Sequence, residues 1–383
     1  MSLYLDYNAS TPVDPRVLDV MVDVYKNHYG NPDSRTHGFG DDAHSIVELS
    51  RKQVASLFAV MPSEVFFTSG STESNNIAVQ GLEQYARQSG KNHLITSSIE
   101  HKAVIESVKA MERKGFRADY IRPEKSGIVC ADTVLGKVTS QTVLVSIMHV
   151  NNETGIIQPV DILGEALESQ DIFFHVDATQ SSGKLVEELR SLKYSMLSFS
   201  AHKMGGPQGV GVLILRKKRY KLPPVKNIMY GGQQEGGIRP GTIPVALVAG
   251  CGKACELAEN EYSINQQKCK NIQEILLNLL RDSGLNWSIN GDIKYCISNT
   301  LNICLHGVSS EALMLSSKMH CGISNGSACT SKDYRPSYVL TSMGLTEKDS
   351  LCSVRISWGP KVDKDIFKNE VSTLLDISKK LCI

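Results

Sequence analysis

The sequence predicts an α/β protein with a mostly parallel β-sheet covered by helices on both faces. Between residues 65 and 215, short β-branched or aromatic runs alternate with helix-length amphipathic segments, which is the pattern of such a sheet. A small polar or ionisable cluster follows nearly every run, and ligands of parallel sheets bind beyond the carboxyl ends of the strands. The chain of 383 residues is too long for one compact core. We therefore expect a large α/β domain with a ligand site, joined to a smaller domain.

The elements can be placed in chain order. Residues 3–6 suit a short strand and residues 17–25 a helix, and a second helix ends near Phe58. The six apolar runs predict strands at 65–68, 93–96, 143–148, 172–176, 196–199 and 210–215. A long helix is predicted over 245–282, followed by strands at 300–305, 322–324 and 354–357 and a helix at 310–319. We place the domain boundary near residue 256, giving a large domain of residues 15–255 and a small α+β domain of residues 1–14 and 256–383.

Composition and charge argue against several classes of protein. The formal net charge is +1, so no overall field indicates direct binding to nucleic acid or to a membrane surface. No run of about 18 apolar residues could span a bilayer, and the N-terminal residues lack a signal-peptide pattern. The ten cysteines have no metal-ligand spacing and mostly lie in apolar surroundings, as reduced cysteines do. We expect a cytoplasmic protein with no metal site.

One lysine lies in unusual surroundings. Lys203 ends the sequence Ser198-Phe-Ser-Ala-His-Lys and is followed by a Gly-Gly-Pro turn, between two apolar runs. Desolvation at the end of a buried strand favours the free amine, which is the nucleophilic form. The alternative is an ordinary solvated loop lysine.

The polar cluster after the first strand of the sheet suits a phosphate. The sequence Ser69-Gly-Ser-Thr-Glu-Ser leaves a strand and enters a helix, so backbone N–H groups and the hydroxyls of Ser71 and Thr72 could bind an anion. No Gly-Lys-Ser/Thr closes the loop, which excludes a Walker A motif. A capped helix without a ligand is the alternative.

Two further strand ends carry ionisable residues. Asp177 ends the run Phe-Phe-His-Val-Asp, where an unpaired carboxylate would be costly, so it needs a cation or backbone N–H groups. His101 could stack on a ring or move protons, or it could be structural. An anion site, a carboxylate for a ring nitrogen and a lysine for covalent attachment, at successive strand ends, together predict pyridoxal 5′-phosphate.

The last third of the chain adds a thiol and a guanidinium. Cys329 lies among small residues in Ser324-Asn-Gly-Ser-Ala-Cys-Thr-Ser, which suits an exposed nucleophilic thiol on a moving loop, or a plain surface cysteine. Arg355 lies in a strand-like run, where it would grip a substrate carboxylate or form a structural salt bridge.

The motifs together resemble those of the cysteine desulfurases of the NifS/IscS type, in the class V aminotransferase group. The resemblance covers essentially the whole chain. It rests on Tyr4-Leu-Asp-Tyr, Gly30-Asn-Pro, Thr68-Ser-Gly-Ser-Thr-Glu-Ser-Asn-Asn, Glu100-His-Lys-Ala-Val, Val150-Asn-Asn-Glu-Thr-Gly, His175-Val-Asp-Ala-Thr-Gln, Ser198-Phe-Ser-Ala-His-Lys, Arg239-Pro-Gly-Thr and Gly326-Ser-Ala-Cys. It implies the type I fold of PLP-dependent transferases, with a seven-stranded sheet. It also implies a homodimer that takes sulfur from L-cysteine, releases L-alanine and passes a persulfide sulfur to a protein acceptor.

The resemblance also implies a role for each site residue. Lys203 would bind the cofactor covalently and remove the substrate α-proton, Asp177 would contact the pyridine nitrogen, and His101 would stack on the ring and transfer protons. The remaining cofactor contacts would come from Ser71, Thr72, Ser200, His202, Asn152, Gln180 and, from the partner subunit, Thr242. Arg355, with Asn152, would bind the substrate, and Cys329 would accept the sulfur.

Two departures from the family pattern bear on the acceptor. Trp358 is unusually bulky for its position, and the chain ends about 24 residues beyond Gly359. Housekeeping iron–sulfur members carry a longer tail that docks a scaffold protein, so a specialised member such as the desulfurase of the DNA phosphorothioation (Dnd) system is an alternative to iron–sulfur assembly. The rival activities are a selenocysteine lyase or aminotransferase on the same fold, and a non-catalytic sulfur-relay protein.

Overall fold

The computed structural model describes residues 2–326 and 336–382. The strands in these ranges are β1 (Leu3–Tyr4), β2 (Val65–Thr68), β3 (His93–Ser97), β4 (Arg117–Ile121), β5 (Thr142–Met148), β6 (Phe173–Asp177), β7 (Met196–Ser200), β8 (Gly211–Leu215), β9 (Trp287–Ile289), β10 (Thr300–Leu305), β11 (Cys321–Gly322) and β12 (Ser353–Ser357). The helices are α1 (Pro15–Asn27), α2 (Gly38–Phe58), α3 (Ser71–Gln80), α4 (Glu83–Gln88), α5 (Lys102–Arg113), α6 (Ala131–Gly136), α7 (Val160–Glu168), α8 (Val186–Ser191), α9 (Val245–Asp282), α10 (Ser310–Ser317), α11 (Tyr338–Ser342), α12 (Glu347–Leu351) and α13 (Lys364–Leu381). None of these helices is long and apolar enough to cross a membrane.

Seven strands form the central sheet, in the order β2-β8-β7-β6-β5-β3-β4. Only β8 runs against its neighbours, since it pairs antiparallel with both β2 and β7. All residues of β2, β5, β7 and β8 are buried, because helices cover both faces of the sheet. The predicted seven-stranded, mostly parallel α/β fold is confirmed.

The edge strand β4 was not predicted from the sequence. Its residues, Arg117-Ala-Asp-Tyr-Ile, pair with β3 in parallel, but only Ile121 is buried. A strand at the edge of a sheet is covered on fewer sides, so it lacks the continuous apolar run that marks the central strands.

A second hydrophobic cluster lies outside the central sheet. It contains residues of β10 and β12, the C-terminal half of α9, α13, and the fully buried Trp358, whose Nε1 donates to the Cys269 carbonyl at 3.0 Å. The bulky side chain at 358 therefore fills this cluster. The 38-residue helix α9 also contributes Cys251 and Cys255 to the cluster around the central sheet. Two clusters that share one helix are consistent with a boundary near residue 256, which stays a prediction.

The N-terminal residues connect the two clusters. Leu3 of β1 pairs with Cys321 of β11, and Asp6 forms a parallel β-bridge with Ser357, the last residue of β12. The chain then passes the loop after β7, where the backbone N–H of Thr11 donates to the His202 carbonyl at 2.9 Å. Residues 3–11 therefore run from the second cluster to the loop that carries the predicted catalytic lysine.

Candidate active site

The carboxyl ends of the parallel strands open into a cavity of about 750 Å³. Nine of the predicted site residues line it: Ser71, Thr72, His101, Asn152, Asp177, Gln180, His202, Lys203 and Arg355. They come from six loops or strands that are distant in sequence. The topology of the sheet therefore brings together the residues that the motifs singled out.

One end of the cavity is formed by the start of α3. Gly70 is the N-cap residue, and the next two residues, Ser71 and Thr72, line the cavity beside the unpaired N–H groups of the first turn. The antiparallel strand β8 comes so close here that a Cβ on Gly211 would lie 2.5 Å from the Gly70 Cα, so only glycine fits. Ser200 lies on β7 beside this loop but is buried and does not line the cavity.

The carboxylate of Glu73, in the first turn of α3, forms an ion pair with Arg239. Glu73 accepts a hydrogen bond from the Ser69 N–H at 2.5 Å and pairs with Arg239 at 3.1 Å. The carboxylate is therefore neutralised by a residue of the Arg239-Pro-Gly-Thr motif, which leaves the N–H groups of α3 suited to a phosphate.

Asp177 is buried at the end of β6 and already has several donors. Its Oδ2 accepts from Asn75 Nδ2 at 2.8 Å, and its Oδ1 accepts from the backbone N–H of Thr179 at 3.0 Å and from the Thr179 hydroxyl. The alternative of a carboxylate satisfied by hydrogen bonds thus has support. Asp177 nevertheless lines the cavity, where its carboxylate could also face a protonated ring nitrogen.

Lys203 follows β7 in a 3₁₀ turn and reaches the N-terminal residues. Its Nζ donates to the carbonyl oxygens of Asn8 at 2.5 Å and Ala9 at 2.7 Å. The Asn8 carbonyl also accepts from Gln180 Nε2 at 2.9 Å, and its side chain bonds Thr300. Lys203 is therefore not the solvated loop lysine of the alternative interpretation.

Asn8 is a residue that the sequence analysis missed. It is buried, and its backbone N–H donates to Ser357 Oγ at 3.0 Å while its Nδ2 donates to the Asn152 carbonyl at 3.1 Å. Its partners Ser357 and Asn152 lie far away in the sequence, so no local pattern indicates its role. Its position beside the Tyr4-Leu-Asp-Tyr motif was the available signal.

His101 and His202 are held in the neutral form. His101 caps α5, where its Nδ1 accepts from the Ala103 N–H at 3.1 Å, and burial lowers its pKa despite the opposing charge of Asp177. Burial and the charge of Lys203 lower the pKa of His202 to about 4. A neutral imidazole keeps one N–H and one lone pair, so each ring could donate a single hydrogen bond to a bound group.

Arg355 combines both roles considered for it. Its Nη2 pairs with Asp6 at 2.5 Å and its Nη1 donates to the Asn152 carbonyl at 2.8 Å, so it does form a salt bridge. The guanidinium is buried beside the cavity, and its Nε has no hydrogen-bond partner among the described residues. A donor is therefore left for an anionic ligand.

Glu153 is a second residue that the sequence analysis did not single out. It is buried, and burial raises its pKa even though the Ser337 hydroxyl donates to its Oε2 at 2.5 Å. A Cβ on Gly326 would lie 2.7 Å from the same oxygen. Gly326 and Ser337 flank residues 327–335, and Cys329 lies outside the described residues.

Thr242 does not line the cavity of its own chain and is exposed. A contact with the cofactor could come only from a second subunit, which stays a prediction.

The residues fit pyridoxal phosphate on structural grounds. The cavity offers a helix start for the phosphate, a buried carboxylate for the ring nitrogen and a lysine amine. In addition, Asn152 Oδ1, Gln180 Oε1 and Arg355 Nε are buried polar atoms without partners in the part of the chain that the structure describes. Such atoms are costly unless a ligand satisfies them.

Comparison with known proteins decides the family. The model of the family "Aminotransferase class-V" matches residues 3–367. The chain belongs to the class-V aminotransferases. This family and its relatives depend on pyridoxal phosphate, so the predicted cofactor is confirmed.

Relatives within the class-V aminotransferases are cysteine desulfurases. The chain is 41% identical over 362 residues to the cysteine desulfurase IscS of Pectobacterium carotovorum subsp. carotovorum (strain PC1), covering 94% of this chain and 88% of the relative. A solved NifS-like protein matches with a TM-score of 0.91 and 33% identity over 100% of both chains. DndA from Streptomyces lividans matches with a TM-score of 0.81 and 38% identity, over 92% of this chain and 98% of that one. The predicted resemblance is confirmed.

Proposed function

We infer that this protein is a pyridoxal-phosphate-dependent cysteine desulfurase. It takes sulfur from L-cysteine, releases L-alanine and holds the sulfur as a persulfide for transfer. The observation that carries this conclusion is the single cavity where Lys203, Asp177 and His101 meet the start of α3, in a chain 41% identical to a cysteine desulfurase. A non-catalytic relay protein would not need this set of ionisable groups around one cavity.

The cofactor would be held by residues from several strand ends. The N–H groups of α3 with the hydroxyls of Ser71 and Thr72 would bind the phosphate, and Ser200 and His202 would complete that site. Asp177 would face the ring nitrogen, His101 would lie against the ring, and Gln180 and Asn152 would contact its substituents.

Lys203 would act as both anchor and base. When bound, pyridoxal phosphate supplies an electron sink that accepts negative charge from the substrate α-carbon. The Lys203 amine would hold the cofactor covalently and, when free, would take the α-proton of the substrate. The carbonyl groups of Asn8 and Ala9 would orient the amine and stabilise it once it is protonated.

Substrate selection would rest on Arg355 and Cys329. The unpartnered Nε of Arg355 would donate to the α-carboxylate of cysteine, while Asp6 keeps the guanidinium in place. The Cys329 thiolate would attack the substrate sulfur to form the S–S bond of a persulfide, while the carbon–sulfur bond of the substrate breaks and its electron pair passes to the carbon, which is protonated to give alanine. Transamination needs no such thiol, so Cys329 favours desulfuration.

We propose a homodimer as the working form. The exposed Thr242 would then reach the phosphate site of the partner subunit, since it cannot reach the site of its own chain. Residues 1–14 and 256–383 would form a small domain that carries the Cys329 segment.

The sulfur acceptor would be a protein rather than nucleic acid, since the net charge of +1 gives no electrostatic attraction for DNA. Both iron–sulfur assembly and DNA phosphorothioation stay candidate pathways, because relatives named IscS and DndA are similar to the chain. Trapping of the Cys329 persulfide followed by identification of the captured protein would separate them.

The activity itself is tested with purified protein, L-cysteine and a thiol reductant. We expect a yellow protein that forms sulfide and alanine in equal amounts. Cys329→Ala should keep the yellow colour and lose sulfide formation, because the cofactor site is intact while the sulfur has no acceptor. Full desulfurase activity in Cys329→Ala would contradict the role of the thiol.

A further inference from the structure

Three metal-ligating side chains meet at the end of β10, outside the active-site cavity. Cys304 lies in β10, His306 follows two residues later, and Asp349 lies in α12. One ligand atom from each lies within 4.8 Å of the others. We propose that Cys304, His306 and Asp349 bind a zinc ion.

The spacing of the atoms is close to that of a tetrahedral zinc site. His306 Nδ1 lies 3.5 Å from Cys304 Sγ and 3.5 Å from Asp349 Oδ1. Zinc bonds of about 2.3 Å to sulfur and about 2.0–2.1 Å to nitrogen and oxygen put neighbouring ligand atoms about 3.4–3.6 Å apart. The third pair, the Cys304 sulfur and the Asp349 oxygen, lies within 4.8 Å, so side-chain rotations would close the cluster around the ion.

Hydrogen bonds with neighbouring residues orient His306 and Asp349. Ser288 Oγ lies 3.0 Å from His306 Nε2, and a hydrogen bond donated by Nε2–H to this oxygen would leave the Nδ1 lone pair facing Cys304 and Asp349. The Thr346 hydroxyl donates to Asp349 Oδ2 at 2.7 Å, which leaves Oδ1 facing the imidazole. Metal-binding histidines and carboxylates are oriented by partners of this kind.

The donor set and its exposure favour zinc with an open fourth position. A thiolate, an imidazole and a carboxylate form a mixed set that suits zinc, whereas calcium and magnesium prefer oxygen alone. The side chains of His306 and Asp349 are 35% and 37% exposed, so water can complete the coordination. Binding replaces the proton of the Cys304 thiol, which is released to solvent.

The expectation of no metal site rested on the absence of regular metal-ligand spacing among the cysteines. The Cys-Leu-His sequence at the end of β10 supplies two ligands on one side of the strand. The third comes from a helix that only the fold brings near. This kind of site has no local motif to detect.

The experiment is a Co²⁺ titration of the cofactor-loaded Cys329→Ala enzyme, in which the active-site thiol cannot bind metal. We expect one Co²⁺ per chain with the visible absorption of tetrahedral cobalt, at wavelengths longer than that of the cofactor, and its displacement by Zn²⁺. His306→Gln and Asp349→Asn, made in the same background, should each weaken binding about tenfold or more. Cys304→Ser should do the same and also alter the spectrum.

Cys130→Ser serves as the control, since it removes a thiol outside the cluster and should leave Co²⁺ binding unchanged. Circular dichroism of each variant checks that the fold is intact. Absence of tetrahedral absorption in the parent protein, or equal Co²⁺ affinity in the parent and the folded His306→Gln variant, would overturn the proposal. Because none of the three ligands lines the active-site cavity, this outcome would not affect the proposed desulfurase activity.

Discussion

Two cavities meet at Lys203, and they differ in almost every other respect. The cavity at the strand ends, of about 750 Å³, is lined by ionisable residues that include His101, Asp177 and Arg355. The other, of about 390 Å³, lies between α9 and the N-terminal residues and has mainly apolar walls, including Leu257 and Trp358. The cavity with the more apolar walls is thus not the one that we propose as the active site. The proposed active site is distinguished by the convergence of buried polar atoms without partners among the described residues.

The apolar cavity contains a desolvated lysine, Lys184. Lys184 lines the apolar cavity, and burial, aided by the charge of Lys203, lowers its pKa to about 8. By the criterion of a desolvated amine alone, Lys184 would itself be a catalytic candidate. Only Lys203 also has the anion site and Asp177 within the same cavity.

The largest effect is expected from Lys203→Ala. The variant should lose the absorption of the covalently bound cofactor and about a thousandfold or more of alanine formation, because both the anchor and the base are removed. The measurement is the visible spectrum together with single-turnover alanine release. The matched control is Lys184→Met, which should stay within about threefold of the parent; an equal loss in both would reverse our ranking of the two lysines.

Asp177→Asn should lower kcat by about 100-fold or more while the protein stays yellow. The neutral amide keeps the shape of the side chain but cannot stabilise a protonated ring nitrogen, so the electron sink is weakened. Steady-state kinetics with cysteine checks this. A kcat within a few-fold of the parent would favour the purely structural reading of Asp177, in which Asn75 and Thr179 are its only partners of consequence.

Glu153→Ala should lower sulfide formation by about tenfold or more. The substitution removes the carboxylate oxygen that accepts the hydrogen bond of the Ser337 hydroxyl and that packs against Gly326. Cofactor content should not change, since Glu153 holds the two residues that flank the Cys329 segment. The control is Glu153→Gln, which keeps an oxygen for the Ser337 hydroxyl. An equal loss of sulfide formation in both variants would show that the hydrogen bond between Ser337 and Glu153 does not support the activity.

A pH effect on stability is expected from Glu100, which is buried behind the polar cavity. Burial raises its pKa from 4.5 to about 8, against the hydrogen bonds from Ser97 and the Met148 N–H. Between these pH values the unfolded state is ionised while the folded state keeps its proton, so stability falls as pH rises. Glu100→Gln should remove this fall, with a gain of about 2–5 kcal/mol near pH 8 by urea denaturation. Parallel stability curves for the two proteins from pH 5 to pH 8 would contradict the assignment.

Lys184 should produce the smallest effect and the opposite slope. Its pKa is lowered from 10.5 to about 8, so between these values the unfolded state holds the extra proton and stability rises with pH. Lys184→Met should be more stable than the parent by about 1–2 kcal/mol at pH 7, and the difference should shrink as pH approaches 10.5. A constant difference over that range would mean that Lys184 is not desolvated.

The sequence predicted the parts of the site that lie at strand ends. Lys203, Asp177 and the residues that begin α3 follow apolar runs, so strand periodicity and loop chemistry were enough to place them together. Asn8, Asp6 and Glu153 were missed, because each acts through partners about 150 residues or more away, such as Ser357, Arg355 and Ser337. Nothing local distinguishes a turn asparagine from one that holds a catalytic amine.

The pairing of β1 with β11 has a consequence for the order of folding. The ribosome releases Leu3 long before Cys321, its partner, and Asn8 long before Ser357. The central sheet can assemble earlier in synthesis, since its seven strands all lie between residues 65 and 215, whereas the N-terminal contacts must wait for Cys321 and Ser357. The Asn8 and Ala9 carbonyl groups that bind the Lys203 amine are therefore put in place after the central sheet, once Cys321 and Ser357 have been synthesised.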